Sequence, residues 1–308
     1  MTAPPYHLPG LVPHARQALV PVVEQAELAK DTFRLRLRAP EMARVVRPGQ
    51  FFMLRSPGVT DPLLARPFAL YDTWVEQGAP AGLDLVYLVV GKMTSLMRAW
   101  KPGDAAEIWG PLGNGFPSPP AGRLILVAGG IGHTPFLAVA REALGLRRYF
   151  REERAPGEQP ESAPRAGQVV LCYGVRSASY LAAVDDFRAL GVDVRLATDD
   201  GTRGKRGYVT ELLAEVLAAG AGSIHAGANA AVYCCGPEPM MHKAAEIARR
   251  HEVPCWVSLE TPMACGFGAC FSCVTRIRQT ATAWDYARVC VEGPVFNAQC
   301  WVSGQERL

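Results

Sequence analysis

The sequence predicts a multidomain fold: an antiparallel β-barrel or sandwich, then an α/β domain with a mainly parallel sheet, then a small cysteine-rich module. Three observations predict it. Residues 17–116 read as strands separated by turns, apolar strand-like and helix-like segments alternate from 119 to about 250, and four closely spaced cysteines follow Val253. A chain of 308 residues has room for two domains of roughly 150 residues and, with smaller ones, a short third. The expected boundaries are 1–118, 119–251 and 252–308.

Within the first unit, Phe33, Leu35 and Leu37 of DTFRLRL alternate with Arg34, Arg36 and Arg38. One face therefore enters a core while the other meets water. Pro48-Gly49 and Pro102-Gly103 punctuate the strands, and residues 95–100 (SLMRAW) are expected to form a short helix after a turn at Gly91. The Gly- and Pro-rich GPLGNGFPSPPAG ends this unit. Beyond it, LILVAGG, QVVLCYG, VDVRLATDD and AAVYCCG read as strands, and HTPFLAVAREAL, TELLAEVLAAG and PEPMMHKAAEIARRHE read as helices. Such alternation is the signature of an α/β layer architecture. The charged, proline-rich stretch between Arg147 and Gly167 is expected to be an exposed loop.

Composition narrows the function. Lys and Arg total 32 against 29 Asp and Glu, a formal charge of +3 spread along the chain without a basic arm, so no nucleic-acid partner is expected. No apolar run approaches the roughly 18 residues needed to cross a bilayer. The N-terminal residues lack a positive start followed by an apolar stretch, so a cytoplasmic protein without an export signal is expected. Nine cysteines, an odd number, do not suggest a disulfide scaffold.

Their placement is more informative. Cys265, Cys270 and Cys273 form C-x4-C-x2-C, and Cys290 follows after sixteen residues. This spacing matches the opening of a plant-type [2Fe–2S] site. Gly266 and Gly268 allow the loop to fold around inorganic sulfide with its N–H groups inward. Structural zinc also uses four cysteines, although it more often takes them from paired C-x2-C knuckles. Cys172 and Cys234 lie in apolar strands and read as buried small thiols, Cys235 sits at a sheet edge where cofactors approach, and Cys255 and Cys300 complete no second cluster.

In LVAGGIGHTPF, Gly129, Gly130 and Gly132 lie between a strand and a helix, where backbone donors and the helix dipole face a pyrophosphate. The run is not a full G-x-G-x-x-G fingerprint and also suits a tight turn. Thr134 offers a hydroxyl nearby, while His133 contacts phosphate or packs at the helix entry.

Taken together, SLETPMACGFGACFSC, YARVCVEGPVF and the order of the modules resemble the ferredoxin–NADP reductase superfamily, and within it the electron transfer subunits of bacterial dihydroorotate dehydrogenase, over about residues 17–302. The resemblance implies a flavin-binding barrel, a nucleotide-binding α/β domain and a C-terminal [2Fe–2S] domain, with FAD, the cluster and NAD(H) as cofactors. It places Arg66, Pro67, Phe68 and Ala69 at the flavin, with Ala69 replacing the family's usual hydroxyl. Gly91, Thr94 and Ser95 stand in the phosphate-contact segment, where Met93 replaces a glycine, and Gly110 opens the next flavin loop, in which Asn114 binds or caps a turn. Cys235, Gly236, Pro237 and Met240 are placed near the nicotinamide, and Asp199 or Asp200 at the ribose, which favours NAD over its phosphorylated form; Arg176 argues the other way. Glu260 is a tuning or interface residue or a solvated carboxylate, and Tyr286 and Phe296 shield the cluster or pack in the core.

The function implied is electron transfer in pyrimidine biosynthesis: from an FMN-containing dihydroorotate dehydrogenase catalytic subunit through [2Fe–2S] and FAD to NAD+, in a heterotetramer of two of each chain. Alternatives are the NAD(P)H-linked subunit of a hydrogenase, sulfide dehydrogenase or transhydrogenase complex, or a redox-sensing module. No nucleophilic triad or carboxylate pair is required, so no side chain is assigned as catalytic.

Overall fold

Alternation of apolar residues closes the first part of the chain into a barrel. The computed structural model describes residues 14–150, 166–220 and 229–302. The barrel strands are β1 (Arg16–Ala29), β2 (Thr32–Arg38), β3 (Phe51–Arg55), β4 (Arg66–Glu76), β5 (Ala79–Leu88) and β6 (Ala105–Leu112), closed in the order β1-β2-β5-β4-β3-β6. Helix α1 (Pro40–Ala43) lies between β2 and β3, and α2 (Lys92–Arg98) between β5 and β6. β1 closes the barrel by pairing with β6 through Pro21 and with β2 from Val22 onward, so its proline sits where the strand changes partner. Leu35 and Leu37 are fully buried, which contributes about 1.5–3 kcal/mol each. The arginines between them do more than meet water: Arg36 forks onto Asp84 at 2.8 Å, and Arg34 reaches Glu24 at 2.8 Å.

The helix expected from Ser95 begins three residues earlier, at Lys92. The Thr94 hydroxyl accepts the Val90 and Gly91 N–H groups at 2.9 and 3.0 Å, which satisfies donors that a helix start otherwise leaves open.

The α/β unit contains β7 (Arg123–Gly129), α3 (Phe136–Ala143), β8 (Gln168–Val175), α4 (Val184–Arg188), β9 (Asp193–Thr198), β10 (Lys205–Arg206), α5 (Val209–Gly220), β11 (Ala230–Cys235) and α6 (Glu238–Arg250). Leu124 through Ala128 are all fully buried, as expected of a parallel strand covered on both faces. Most of the Arg147–Gly167 loop expectation falls on 151–165, outside the described residues.

Strand β12 (Cys255–Ser258) belongs to the cysteine-rich unit in sequence but joins the α/β sheet in space. The sheet order is β10-β9-β8-β7-β11-β12-β15, with β12 parallel to β11 and β15 (Val295–Asn297) antiparallel to β12. The rest of that unit is a three-stranded sheet of β13 (Val274–Arg278), β14 (Trp284–Arg288) and β16 (Trp301–Val302). No helix among the described residues is long and apolar enough to cross a membrane.

Candidate cofactor site

Two cavities open at the carboxyl ends of the parallel strands, where ligands bind in open α/β sheets. The first, about 580 Å³, lies between barrel and sheet. Its barrel wall is Arg66, Pro67, Phe68 and Ala69 on β4 with Gly91 and Thr94 at the start of α2. Gly129, Gly130, Gly132 and Thr134 form the wall after β7, Cys235, Gly236 and Pro237 the wall after β11, and Ser258, Glu260 and Met263 the wall from the cysteine-rich unit. Arg66 donates from one guanidinium nitrogen to the Leu64 and Ala65 carbonyls at 2.9 and 3.0 Å, and the side chain is exposed at the mouth. A phosphate there would meet its remaining donors.

Ala69 presents no hydroxyl; those in the lining belong to Thr94, Thr134, Ser258 and Tyr87. The Thr94 hydroxyl is already spent on the cap, where it also donates to the Gly91 carbonyl at 3.0 Å. Ser95 is exposed and Gly110 sits in the barrel wall, and neither lines either cavity. Gly110 takes φ +148, and a Cβ there would lie 2.6 Å from the Phe52 ring.

The second cavity, about 620 Å³, is lined by Gly129, Gly130, His133, Tyr173, Arg176, Tyr180, Asp199, Pro237, Met240 and Lys243, among others. Of the two aspartates after β9, only Asp199 faces it. Asp200 is exposed and accepts both the Thr202 N–H and hydroxyl, at 3.0 and 2.6 Å, which holds its carboxyl below the usual range. Arg176 lies 5.9 Å over the Tyr180 ring.

Leu88, Gly129, Gly130, Ile131 and Pro237 belong to both cavities, so the two spaces share one wall. Contact dictates glycine at Gly129 in this wall and at Gly132 beside it in the first cavity, whereas at Gly130 the φ of +56 does so. A Cβ on Gly129 would sit 2.5 Å from Met240 Sδ, and one on Gly132 would sit 2.5 Å from the Cys235 carbonyl carbon and 2.8 Å from the Gly236 nitrogen. Cys235 stands beside this wall with its thiol pushed up to about 12, first by burial and then by the Glu260 carboxylate, so it stays protonated at neutral pH. His133 is fully buried, its Nδ1 is 3.2 Å from the Gly130 carbonyl, and burial pushes its pKa down to about 4. Nδ1 therefore carries the proton in the neutral ring.

The cysteine loop begins two residues beyond Met263 of the first cavity. Trp109 Nε1 of β6 donates to the Cys265 carbonyl at 2.9 Å, and Gly266, at φ +81, packs against Met53 and Leu112 of the barrel. Cys270 is exposed, whereas Cys273 and Cys290 are buried. The four thiols neighbour one another: Cys270 meets Cys265, Cys273 meets Cys290, and charge on Cys270 and Cys265 is felt at Cys273 and Cys290 respectively. The Ser272 hydroxyl, 3.1 Å from Cys270 Sγ, is the main cause of that thiol falling to about 6. Four neighbouring thiols, three of them in a glycine-bearing C-x4-C-x2-C loop, fit the donor set of a [2Fe–2S] cluster. After Cys290 the chain is held by Asn114, whose amide donates to the Glu292 and Val295 carbonyls at 3.0 and 2.8 Å and accepts the Val295 N–H at 2.9 Å. Asn114 is thus a clasp between barrel and cysteine loop.

Comparison with known proteins matches these three sites to three domain families. Residues 19–116 match the oxidoreductase FAD-binding domain, 126–246 the oxidoreductase NAD-binding domain, and 260–300 the iron–sulfur cluster binding domain of dihydroorotate dehydrogenase B. An electron transfer subunit of dihydroorotate dehydrogenase B (NAD(+)) from Bacillus caldolyticus is 34% identical over 280 residues, 90% of this chain and 95% of that one. The chain belongs to this family of electron transfer subunits. A further family member, from Desulforamulus reducens, is 33% identical over 87% of this chain and 92% of its own. Among solved structures, a chain of an NADH-dependent reduced ferredoxin–NADP oxidoreductase described for flavin-based electron bifurcation superposes with a TM-score of 0.72 at 27% identity, covering 92% of this chain and 90% of that one. The subunit is accordingly an NAD-linked iron–sulfur flavoprotein oxidoreductase, with FAD, NAD(H) and an iron–sulfur cluster as its cofactor classes.

Several cavity-lining positions carried no motif. Tyr208, Thr210 and Lys243 reach the nucleotide cavity from the turn before α5, from α5 and from α6 respectively, and Tyr87 reaches the flavin cavity from an apolar strand. Lys243 also pairs with Glu246 on its own helix at 2.9 Å.

Proposed function

We propose that the chain carries electrons between NAD(H) and a separate, FMN-containing dihydroorotate dehydrogenase catalytic subunit, in the cytoplasm and in the service of pyrimidine biosynthesis. The observation that carries this reading is the shared wall of the two cavities, with the cysteine loop starting at the far side of the first. Residues 1–118, 119–251 and 252–308 act as its three working units, and two such chains assemble with two catalytic chains.

When bound, FAD exchanges two electrons with NAD(H) and single electrons with the cluster. The protein supplies position. Gly129, Gly130 and Gly132 let the nucleotide backbone approach the wall, Asp199 accepts a ribose hydroxyl and selects NAD, and Met240 and Pro237 close the nicotinamide end. Arg66 and the start of α2 hold the flavin phosphates. Cys235 stays a neutral thiol and does not act as a nucleophile. Cys265, Cys270, Cys273 and Cys290 hold the cluster, with Cys270 on the exposed side from which a partner approaches.

The test is anaerobic purification with co-expressed neighbouring proteins, followed by addition of NADH and of dihydroorotate. Capture of an FMN-containing chain that oxidises dihydroorotate, with NADH bleaching both flavin and cluster, is expected. The likeness to the bifurcating oxidoreductase favours a second reading, an NAD(P)H-linked transhydrogenase-type complex. Capture of such a partner instead would replace the first reading.

A further inference from the structure

Strand β4 serves both sides of the electron exchange. Its first residues, Arg66–Ala69, are flavin-cavity wall, and its later ones touch the nucleotide unit. Between them the pairing with β5 slips: Leu70 faces Leu85, but Asp72 faces Asp84, so Tyr71 is the additional residue of a bulge. Bulges re-aim side chains. Here Leu70 packs in the barrel core, while Tyr71 packs with Phe136 and Leu137 of the α/β unit, and its neighbour Asp72 also turns toward that unit.

Both residues are tied there. The Tyr71 hydroxyl donates to Asp186 of α4 at 2.5 Å. Asp72 is buried, meets Arg141 of α3 and Arg147 at 2.8 Å each, and accepts the Tyr149 hydroxyl at 2.6 Å. Arg147 also donates to the Thr73 carbonyl. The Tyr71 ring lies edge-on to His133, centroids 6.4 Å apart, and His133 Nδ1 donates to the Gly130 carbonyl in the shared wall. A continuous set of contacts therefore runs from the flavin wall, through the bulge, to the nucleotide wall.

We infer that Tyr71 and Asp72 are positioning residues: the bulge in β4 sets the angle between barrel and nucleotide unit, and with it the distance between nicotinamide and flavin. The inference rests on the proposed NAD(H)–FAD exchange. Hydride transfer needs the two reacting atoms held within about 0.5 Å of the productive geometry, so a tie that fixes their carriers acts on the transfer step more than on either affinity.

The test uses the anaerobic holoprotein with Tyr71→Phe, Asp72→Asn and the double variant. Glu76→Gln, at the exposed end of the same strand where Glu76 pairs with Arg38, is the control. Flavin bleaching by NADH in a stopped-flow instrument gives the transfer rate and the NADH dissociation constant separately. The single variants should slow transfer about 10-fold and the double variant toward about 100-fold, with the dissociation constant changed by less than about 3-fold and a weaker nicotinamide–flavin charge-transfer absorbance. Glu76→Gln should match the unmodified protein. Amide hydrogen exchange at 129–133, measured without NADH, should rise in the Tyr71 and Asp72 variants. Unchanged transfer and unchanged exchange in Tyr71→Phe, which removes one hydroxyl only, would overturn the inference, as would equal losses of affinity and rate. Failure of the unmodified protein to bleach would instead count against the proposed function, and the exchange measurement would still decide the tie.

Discussion

Gly132→Ala, next to the shared wall and lining the first cavity, is the most direct probe of how the loop after β7 is held against the turn after β11. Its added methyl carbon would sit 2.5 Å from the Cys235 carbonyl carbon and 2.8 Å from the Gly236 nitrogen, whereas ordinary contacts begin near 3.4 Å. Both neighbours are backbone, so no side chain can rotate away, and the loop after β7 must back off from the turn after β11 by about 1 Å. Overpacking of this kind costs about 1–3 kcal/mol of stability. Its larger effect falls on transfer, because a misplacement of about 1 Å lowers an oriented reaction about 100-fold. Gly130→Ala separates the causes. Nothing lies within 4 Å of a Cβ there, but φ is +56, so the methyl enters open cavity and costs about 1 kcal/mol in backbone strain. Stopped-flow bleaching of the flavin by NADH should show a large rate loss for Gly132→Ala, and mainly weakened NADH binding for Gly130→Ala. A folded Gly132→Ala protein that bleaches at the unmodified rate would refute the argument from this contact.

Three further outcomes are expected. Cys270→Ser should abolish the cluster absorbance and delivery to the partner while leaving NADH-to-flavin reduction; an intact cluster spectrum would remove Cys270 from the ligand set. Asn114→Ala leaves two carbonyls and one N–H of the 292–295 segment without partners, at a cost of about 1–3 kcal/mol readable in denaturant unfolding of the holoprotein. His133 has its folded-state pKa lowered from 6.5 to about 4, so as pH falls the unfolded chain takes up the proton first. Its contribution is present above pH 6.5 and is lost between there and about pH 4, by about 3 kcal/mol, and His133→Leu should flatten the unfolding profile across that window.

What the sequence revealed and what it hid follow from range. The cysteine spacing, the glycine run after β7 and the alternation in β2 are local patterns, and each was readable because one loop or one strand face contains it. The start of α2 was displaced because Thr94 acts backward, capping Val90 and Gly91. Ser95 follows the cavity-lining Thr94 but faces away, as the next helix position does, and Gly110 lies on β6, none of whose residues lines either cavity. Tyr71 and Asp72 carried no signal at all: in RPFALYDTW they look like ordinary strand residues, and only the slip against β5 turns both outward. Asn114 read equally as ligand or turn residue because its partners lie some 180 positions away.

The passage of β12 into the α/β sheet has a practical consequence for anyone cutting the gene. A reductase fragment ending near residue 252 would keep both cavities' glycine walls on paper. It would also uncover the Val232–Cys235 edge that β12 now occupies, four residues of apolar strand with open hydrogen-bonding groups. Such a border invites another chain to pair with it. The cysteine-rich unit is therefore the hem of the sheet as well as the carrier of the cluster, and swapping clusters between relatives requires grafting β12 and β15 along with the thiols.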